Sequence, residues 1–316
     1  MWGEIYEGNW EDILSLQSEI AKQIASELKT VLTAEEIGKI EKEPTMNLEA
    51  YELYLKAQYF QNSRDAEGIL KSIHYYQDAI RLDPDFVIAY SGLAYSYLLL
   101  SYYNILPKNE VLPRIKEAAS KALELDSQLD EAHFSRALVR ELEGDLVGAE
   151  EEYLLVIKLN PNHAEVHHRY SYILAWLGRN KEAIKEAQIA HKLEPINPVM
   201  LRGLGYVYYF DQQFDRAIAE CNKSIEIDPK QSFAYAILFW TYHQKSMHDE
   251  ALTALEKLLI IREKEDIAAL IRQNYEDSGY VKAIKKLLNI SMTQSIPWVS
   301  DSEYISDSIF NDWTKR

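Results

Sequence analysis

The chain is poor in cysteine, glycine, proline and positive charge, and each shortage removes a class of protein. Cys221 is the one cysteine, so no disulfide can close within the chain and no CxxC pair exists. That fits a reducing compartment, and a cytoplasmic location is expected. Eleven glycines and nine prolines in 316 residues favour long helices with short connections over many-turned β architectures. Lys and Arg number 34 against 50 Asp and Glu, a formal charge of −16. A nucleic-acid duplex or an acidic membrane surface would be repelled on average, because affinity for phosphates comes mostly from Lys and Arg. Neither is expected as a partner. Residues Met1–Trp10 are acidic and carry no apolar core, so no signal peptide is expected there. The longest uncharged run, 86–107, holds five tyrosines, three serines, a glycine and an asparagine. Its pattern fits a packed helix better than a membrane span.

What the chain has is a period. Lys158-Leu-Asn-Pro161, Lys192-Leu-Glu-Pro195 and Glu226-Ile-Asp-Pro229 end alike, with prolines 34 residues apart. Arg81-Leu-Asp-Pro84 is an earlier copy, and Glu124-Leu-Asp-Ser127 is a copy with its proline replaced. Ser72, Ala149, Ala183 and Ala217 stand twelve residues before the prolines, and Ala79, Val156, Ala190 and Ser224 stand five before. Gly144, Gly178 and Gln212 fall seventeen before. This spacing predicts two antiparallel helices per unit. The second helix needs a small side chain where the first crosses it closely, since a larger one would force the pair apart. The proline ends that helix because it lacks an N–H and clashes with the preceding turn.

A 34-residue period with small–aromatic–small–proline spacing resembles the tetratricopeptide repeat. The resemblance covers about three quarters of the chain. It aligns five repeats at 85–127, 128–161, 162–195, 196–229 and 230–262, with a divergent one before (47–84) and a degenerate one after (266–290). It implies an all-α, right-handed superhelical solenoid of antiparallel helix pairs over 47–290, six to seven pairs in all. Five extra residues in the first repeat are expected in its internal turn near Gln61 to Gly68. Nine in the second are expected as a longer loop or a lengthened helix near Tyr102 to Pro113.

Residues 1–46 do not follow the repeat. Trp2–Tyr6 alternates like a short strand, Asn9–Leu16 opens an amphipathic helix, and Thr33-Ala-Glu-Glu36 is a capping box. This opening, running on through Glu49–Leu55, resembles the last strand and helix of a TolB-like domain. In bacteria that domain precedes such repeats, behind a winged-helix or nucleotide-cyclase domain. The resemblance implies that 1–46 is a remnant of that domain. A lone strand leaves backbone groups unpaired, so residues 2–6 are expected either to pair with another chain, by self-association through residues 1–31, or to stay disordered. Residues 291–316, with the polar-aromatic stretch Pro297–Tyr304, are expected to cap the far end, where a solenoid would otherwise expose an apolar face.

Catalytic patterns are thin. His163-Ala-Glu-Val-His167-His168 is not H-E-x-x-H, because Glu165 is wrongly placed to act as a base beside two ligands. Gly203-Leu-Gly205 lacks the third glycine and the preceding strand of a dinucleotide site, and is expected to permit close helix packing. Glu150–Glu152 is expected on a solvated face, and Cys221 in the core. No catalytic residue, metal or cofactor is expected, and the chain is not expected to be an enzyme.

In the resembled family the first helices of successive repeats line a concave face. The repeat phase then puts Tyr95, Leu138, Tyr172, Tyr206 and Trp240 at one recurring position and Phe134, His168 and Arg202 at another. Trp176, Tyr209 and His243 follow, with Arg169 beside His168. The expectation is an aromatic groove with a few cations that grips a peptide or protein segment. A carboxylate clamp for chaperone tails is excluded, since Ser91 and Tyr95 occupy positions that would need Lys and Asn. The first rival function is a regulatory segment of a transcription regulator or cyclase. The remote rival is a subunit of an enzyme built on helical repeats.

Overall fold

The structure, a computed structural model, describes residues 44–294, with side chains to 290. The expected strand at 2–6, the helix from residue 9, the capping box at Thr33, self-association through 1–31 and all of the 291–316 cap beyond Gln294 lie outside the described residues, while 291–294 continue the last helix. Fourteen α-helices and no strand are found among the described residues. They run in seven consecutive pairs along the chain, and the two helices pack together in each of the six pairs that lie within one unit, so the all-α expectation holds. The pairs are α1 Leu48–Asn62 with α2 Ala66–Leu82, α3 Val87–Tyr102 with α4 Lys108–Leu125, and α5 Asp130–Glu143 with α6 Leu146–Leu159. Then come α7 Ala164–Trp176 with α8 Asn180–Leu193, α9 Pro198–Phe210 with α10 Phe214–Ile227, α11 Ser232–Gln244 with α12 His248–Ile261, and α13 Glu265–Ser278 with α14 Tyr280–Gln294. The chain divides into two compact units, Met1–Val139 and Arg140–Arg316, with the division inside α5.

The chain reversal inside each pair, between its two helices, is made by a left-handed residue. Gly144, Gly178 and Gly279 have φ of 84°, 75° and 80°. Arg64, Asn104, Gln212 and Ser246 take the same role at 55°, 55°, 58° and 57°. A left-handed residue ends the helix by turning its next N–H back onto the last carbonyls. Gly144, Gly178 and Gln212 are the phased positions of the sequence, and Ser246 continues their 34-residue step. Without glycine the Cβ crowds the following carbonyl, which costs about 1–2 kcal/mol.

The second helices α2, α4, α6 and α10 stop differently, whereas α12 ends like a first helix, on left-handed Glu263 with φ of 57°. Asp83, Asp126, Asn160 and Asp228 are C-caps whose N–H groups bond the carbonyl four residues back. Their side-chain oxygens accept from the N–H two residues on, at Asp85, Gln128, Asn162 and Lys230. Such Asx turns redirect the chain, and the following proline holds the cap extended. Ser127 replaces that proline after α4 without loss of the turn.

The phased small residues are all in the core. Ser72, Ala149, Ala183 and Ala217 have no exposed surface, and neither do Ala79, Val156, Ala190 and Ser224. Cys221 is also fully buried. Gly205 explains why: a Cβ there would stand 2.4 Å from Cys221 Sγ, so α9 and α10 touch almost backbone to backbone.

The extra residues of the first repeat are not in its turn. Ser63–Asp65 alone separates α1 from α2, and the length goes into helices of 15 and 17 residues against 13 and 14 for α9 and α10. Extending both partners together keeps every added turn packed, which a floppy loop would not. In the second repeat both devices occur: α3 and α4 have 16 and 18 residues, and residues 103–107 join them. No helix among the described residues is long and apolar enough to cross a membrane.

Two opposite substitutions test this packing in urea denaturation. Ala183→Leu should lower stability by about 1–3 kcal/mol through overpacking. Gln212→Gly should raise it by about 1 kcal/mol by relieving the left-handed residue.

Candidate functional site

In the second unit the odd-numbered helices form one layer. Besides its own partner, α9 touches both α7 and α11, and no comparable contact joins the even-numbered helices among the described residues. Helices that adjoin across repeats can exchange side chains. The exchange runs at steps of 30 as well as 34 residues, because reaching one helical turn back brings the next first helix into range.

An aromatic run results. The rings of Tyr172 and Tyr206 lie 4.4 Å apart, and those of Tyr206 and Phe210 4.7 Å. The Tyr209 and Phe210 rings meet edge to face at 5.6 Å. Trp176 Nε1 donates to the Tyr206 hydroxyl at 2.7 Å. Trp176, Tyr206, Tyr209 and Phe210 are half-buried, while Tyr172 is buried beneath them. Burial pushes the Tyr209 phenol up to about 12, against a hydrogen bond with Gln244 that pulls the other way. Burial likewise raises Tyr206 far above the usual range, against the Trp176 hydrogen bond. Both phenols are neutral at any physiological pH.

The cations behave differently from one another. Arg169 is bound in an ion pair with Glu141 through Nε and NH2, and Tyr153 donates to the same carboxylate at 2.5 Å. Arg169 is therefore engaged in the core. Arg202 is also buried, with 6% of its surface exposed. It meets no carboxylate among the described residues. Its NH1 donates to the Tyr172 hydroxyl at 3.5 Å, its guanidinium stacks on Phe233 at 5.1 Å, and its Nε has no hydrogen-bond partner.

The remaining predicted residues are placed as follows. His168 packs on Tyr172 with rings 4.6 Å apart. Gly203 makes room for it, since a Cβ there would stand 2.5 Å from His168 Nδ1. This is the close packing expected of Gly203. Trp240 is buried against Phe239 and His243. His243 Nδ1 lies 2.8 Å from the Tyr280 hydroxyl. In the first unit, Arg64 donates to the Tyr95 hydroxyl at 2.7 Å, and Tyr95 packs on Phe134 at 5.5 Å. Tyr95, Phe134 and Leu138 are all buried. Ser91, one of the two excluded clamp positions, donates to the Glu131 carbonyl instead.

Two residues were not anticipated from the sequence. Phe233 supports both Arg202 and Arg262. Arg64 makes the turn before α2 and also reaches Tyr95. Their 31-residue offsets from Arg202 and Tyr95 were the available signal. The acidic cluster also departs from a simple solvated face. Glu150 accepts from Tyr170 and Arg179, both at 2.6 Å, and Glu152 is buried.

The three clustered histidines have separate tasks. His163 caps α7, His168 packs on Tyr172, and His167 faces two acceptors. Its Nδ1 is 2.6 Å from a Glu186 carboxylate oxygen and its Nε2 3.0 Å from the Pro161 carbonyl. Both nitrogens must donate, so the ring is an imidazolium. Burial by itself lowers its pKa, but the Glu186 carboxylate and the Pro161 carbonyl outweigh it, and the net shift is upward. No group of three or more His, Cys, Asp or Glu side chains placed to hold a metal occurs among the described residues. Burial also pushes the Cys221 thiol far up, so it supplies no thiolate.

Residues 203–231 match the family model for the tetratricopeptide repeat. Among solved structures, human IFIT1, a dimer solved with m7Gppp-AAAA, aligns with a TM-score of 0.60 at 15% identity, over 88% of this chain and 64% of that one. The helix pairs, their phased small residues and this match define a tetratricopeptide-repeat fold. Curated relatives are distant. The transcriptional regulator HilA of Salmonella typhimurium is 22% identical over 166 residues, which is 52% of this chain and 30% of the regulator. The putative adenylate cyclase 3 of Rhizobium meliloti is 24% identical over 141 residues, 44% of this chain and 24% of the cyclase. The chain thus spans less than a third of the length of these relatives.

The His167 pair makes stability depend on pH in a stated direction. A histidine whose folded pKa is raised binds more protons folded than unfolded. Its contribution is complete below about 6.5, the unfolded value, and is lost as pH rises through the folded pKa. His167→Gln should remove that pH dependence from urea denaturation midpoints. NMR titration of wild-type His167 should give a pKa above 6.5.

Proposed function

We propose that the inner face of α7, α9 and α11 binds a peptide or protein segment, and that the chain acts as a non-enzymatic interaction module. The observation that carries this is the half-buried set Trp176, Tyr206, Tyr209 and Phe210. These rings are locked to one another by the Trp176–Tyr206 hydrogen bond and by ring contacts, yet keep part of their surface open to water. Rigid aromatic side chains offer large contact area at small entropic cost, which is what binding hot spots require. The buried members of the predicted groove, Tyr172, His168 and Trp240, then serve as the floor that fixes these rings. In the first unit Tyr95, Phe134 and Leu138 form a comparable floor. The −16 charge makes nucleic acid and anionic membranes poor partners, and a cytoplasmic setting suits the single buried cysteine.

A second reading is supported by the two relatives. The repeats would then serve as the regulatory part of a longer bacterial regulator or cyclase, consistent with the TolB-like opening in 1–46. In that case the inner face would hold a segment of the linked output domain. An open reading frame fused in front of this chain and encoding a winged-helix or cyclase domain would favour it.

The test uses peptides selected by display against the full chain and measured by fluorescence anisotropy. Tyr206→Ala and Trp176→Ala should each weaken binding about tenfold or more, roughly 1.4 kcal/mol or above. Val147→Ala, on the exposed side of α6, should leave it unchanged. Affinities indifferent to both aromatic substitutions would overturn the reading.

A further inference from the structure

The unmatched charge of Arg202 specifies what the inner face would accept. A buried guanidinium without a carboxylate is costly. Most of that cost is recovered only when an anion arrives with planar, two-pronged geometry, as an Asp or Glu side chain does. Around Arg202 the surface is aromatic: Phe233 beneath it, Tyr172 at its tip, and Tyr206 and Trp176 beyond. The matching ligand is therefore a segment that alternates carboxylates with large apolar side chains and carries no positive charge of its own.

This chain contains such a segment. Residues 297–313 hold Asp301, Glu303, Asp307 and Asp312, no Lys or Arg, and the aromatics Trp298, Tyr304, Phe310 and Trp313. We propose that this segment docks on the inner face of α7, α9 and α11 in its own chain, with one of its carboxylates on Arg202, and that it competes there with outside ligands. The proposal rests on the peptide-binding reading of that face and names its resident occupant. The segment follows α14 directly, and α9 lies two helix pairs earlier. Stacked helices are separated by about 8–10 Å, whereas residues 295–303 fully extended span roughly 30 Å. The tether is long enough. It also holds the segment at a local concentration on the order of 1 mM, so even a weak fit would keep the face occupied.

The test places a photo-crosslinker in the full chain by Tyr304→p-benzoylphenylalanine, irradiates it at low concentration, and maps the products by mass spectrometry. Crosslinks within one chain to α7, α9 or α11 are expected. Their yield should fall at least fivefold with Arg202→Gln, and with the combined D301N, E303Q, D307N and D312N substitutions, at unchanged helix content by circular dichroism. The selected peptides of the preceding test should bind the charge-neutralised chain about tenfold more tightly than the unaltered one. Crosslinks to the even-numbered helices, no crosslinks, or crosslinks only between two chains would each overturn the proposal. A labelled synthetic peptide of residues 297–313 separates the two readings. If it binds the neutralised chain in a manner sensitive to Tyr206→Ala while no intrachain crosslink forms, docking in cis falls and the binding face stands. If selected peptides also ignore Tyr206→Ala, both fall.

Discussion

Close approach of two helices at a small side chain is the constraint on which the rest depends. Every pair with a phased proline places a small or β-branched residue without exposed surface at the crossing. At Gly205 the approach is tight enough that even a Cβ would collide with Cys221. Once the partners of a pair are that near, their apolar faces are consumed by each other and by the next pair. The first helices then have to lie side by side. A wider crossing would separate α7 from α9 and leave Tyr172 without Tyr206.

The site is a by-product of that geometry. Side chains from one first helix reach the next at offsets of 30 to 35 residues, as in Trp176 with Tyr206, Arg202 with Tyr172, and Gln61 with Ser96. The first two of these bridges join a polar tip to a tyrosine hydroxyl, so the abundant tyrosines do two jobs. Their rings fill the seam between helices, and their hydroxyls satisfy Arg, Trp and Glu groups that would otherwise be buried without partners. Arg202 is satisfied only in part: it donates to the Tyr172 hydroxyl but meets no carboxylate among the described residues, whereas Arg169 holds Glu141.

Much of the architecture was legible because the period is carried by residue types that have one physical reason to recur. Alanine at the crossings and the Asx–Pro stops announce themselves in this way. Gln212 was readable only by its phase with two glycines, and Arg64 not at all, since nothing in arginine favours a left-handed turn. The extra length of the first repeat was misplaced for a related reason. Insertions are usually absorbed by loops, whereas here both helices grew together and stayed packed. Groove positions were found at the 34-residue step, but which of them keep open surface was not, because exposure depends on the 30-residue contacts between helices. Phe233 escaped notice for that same cause.

Those short offsets have a mechanical consequence. The side-chain hydrogen bonds that join successive repeats, from Gln61–Ser96 through Ser91–Glu131 to His243–Tyr280, span no more than 40 positions of sequence. Contact order inside each unit is therefore low, and folding within it can begin at any pair and spread to its neighbours. Under tension such a polymer has no single keystone. It would lengthen by shedding hairpins one after another and shorten again by the same increments, as a spring with discrete coils does.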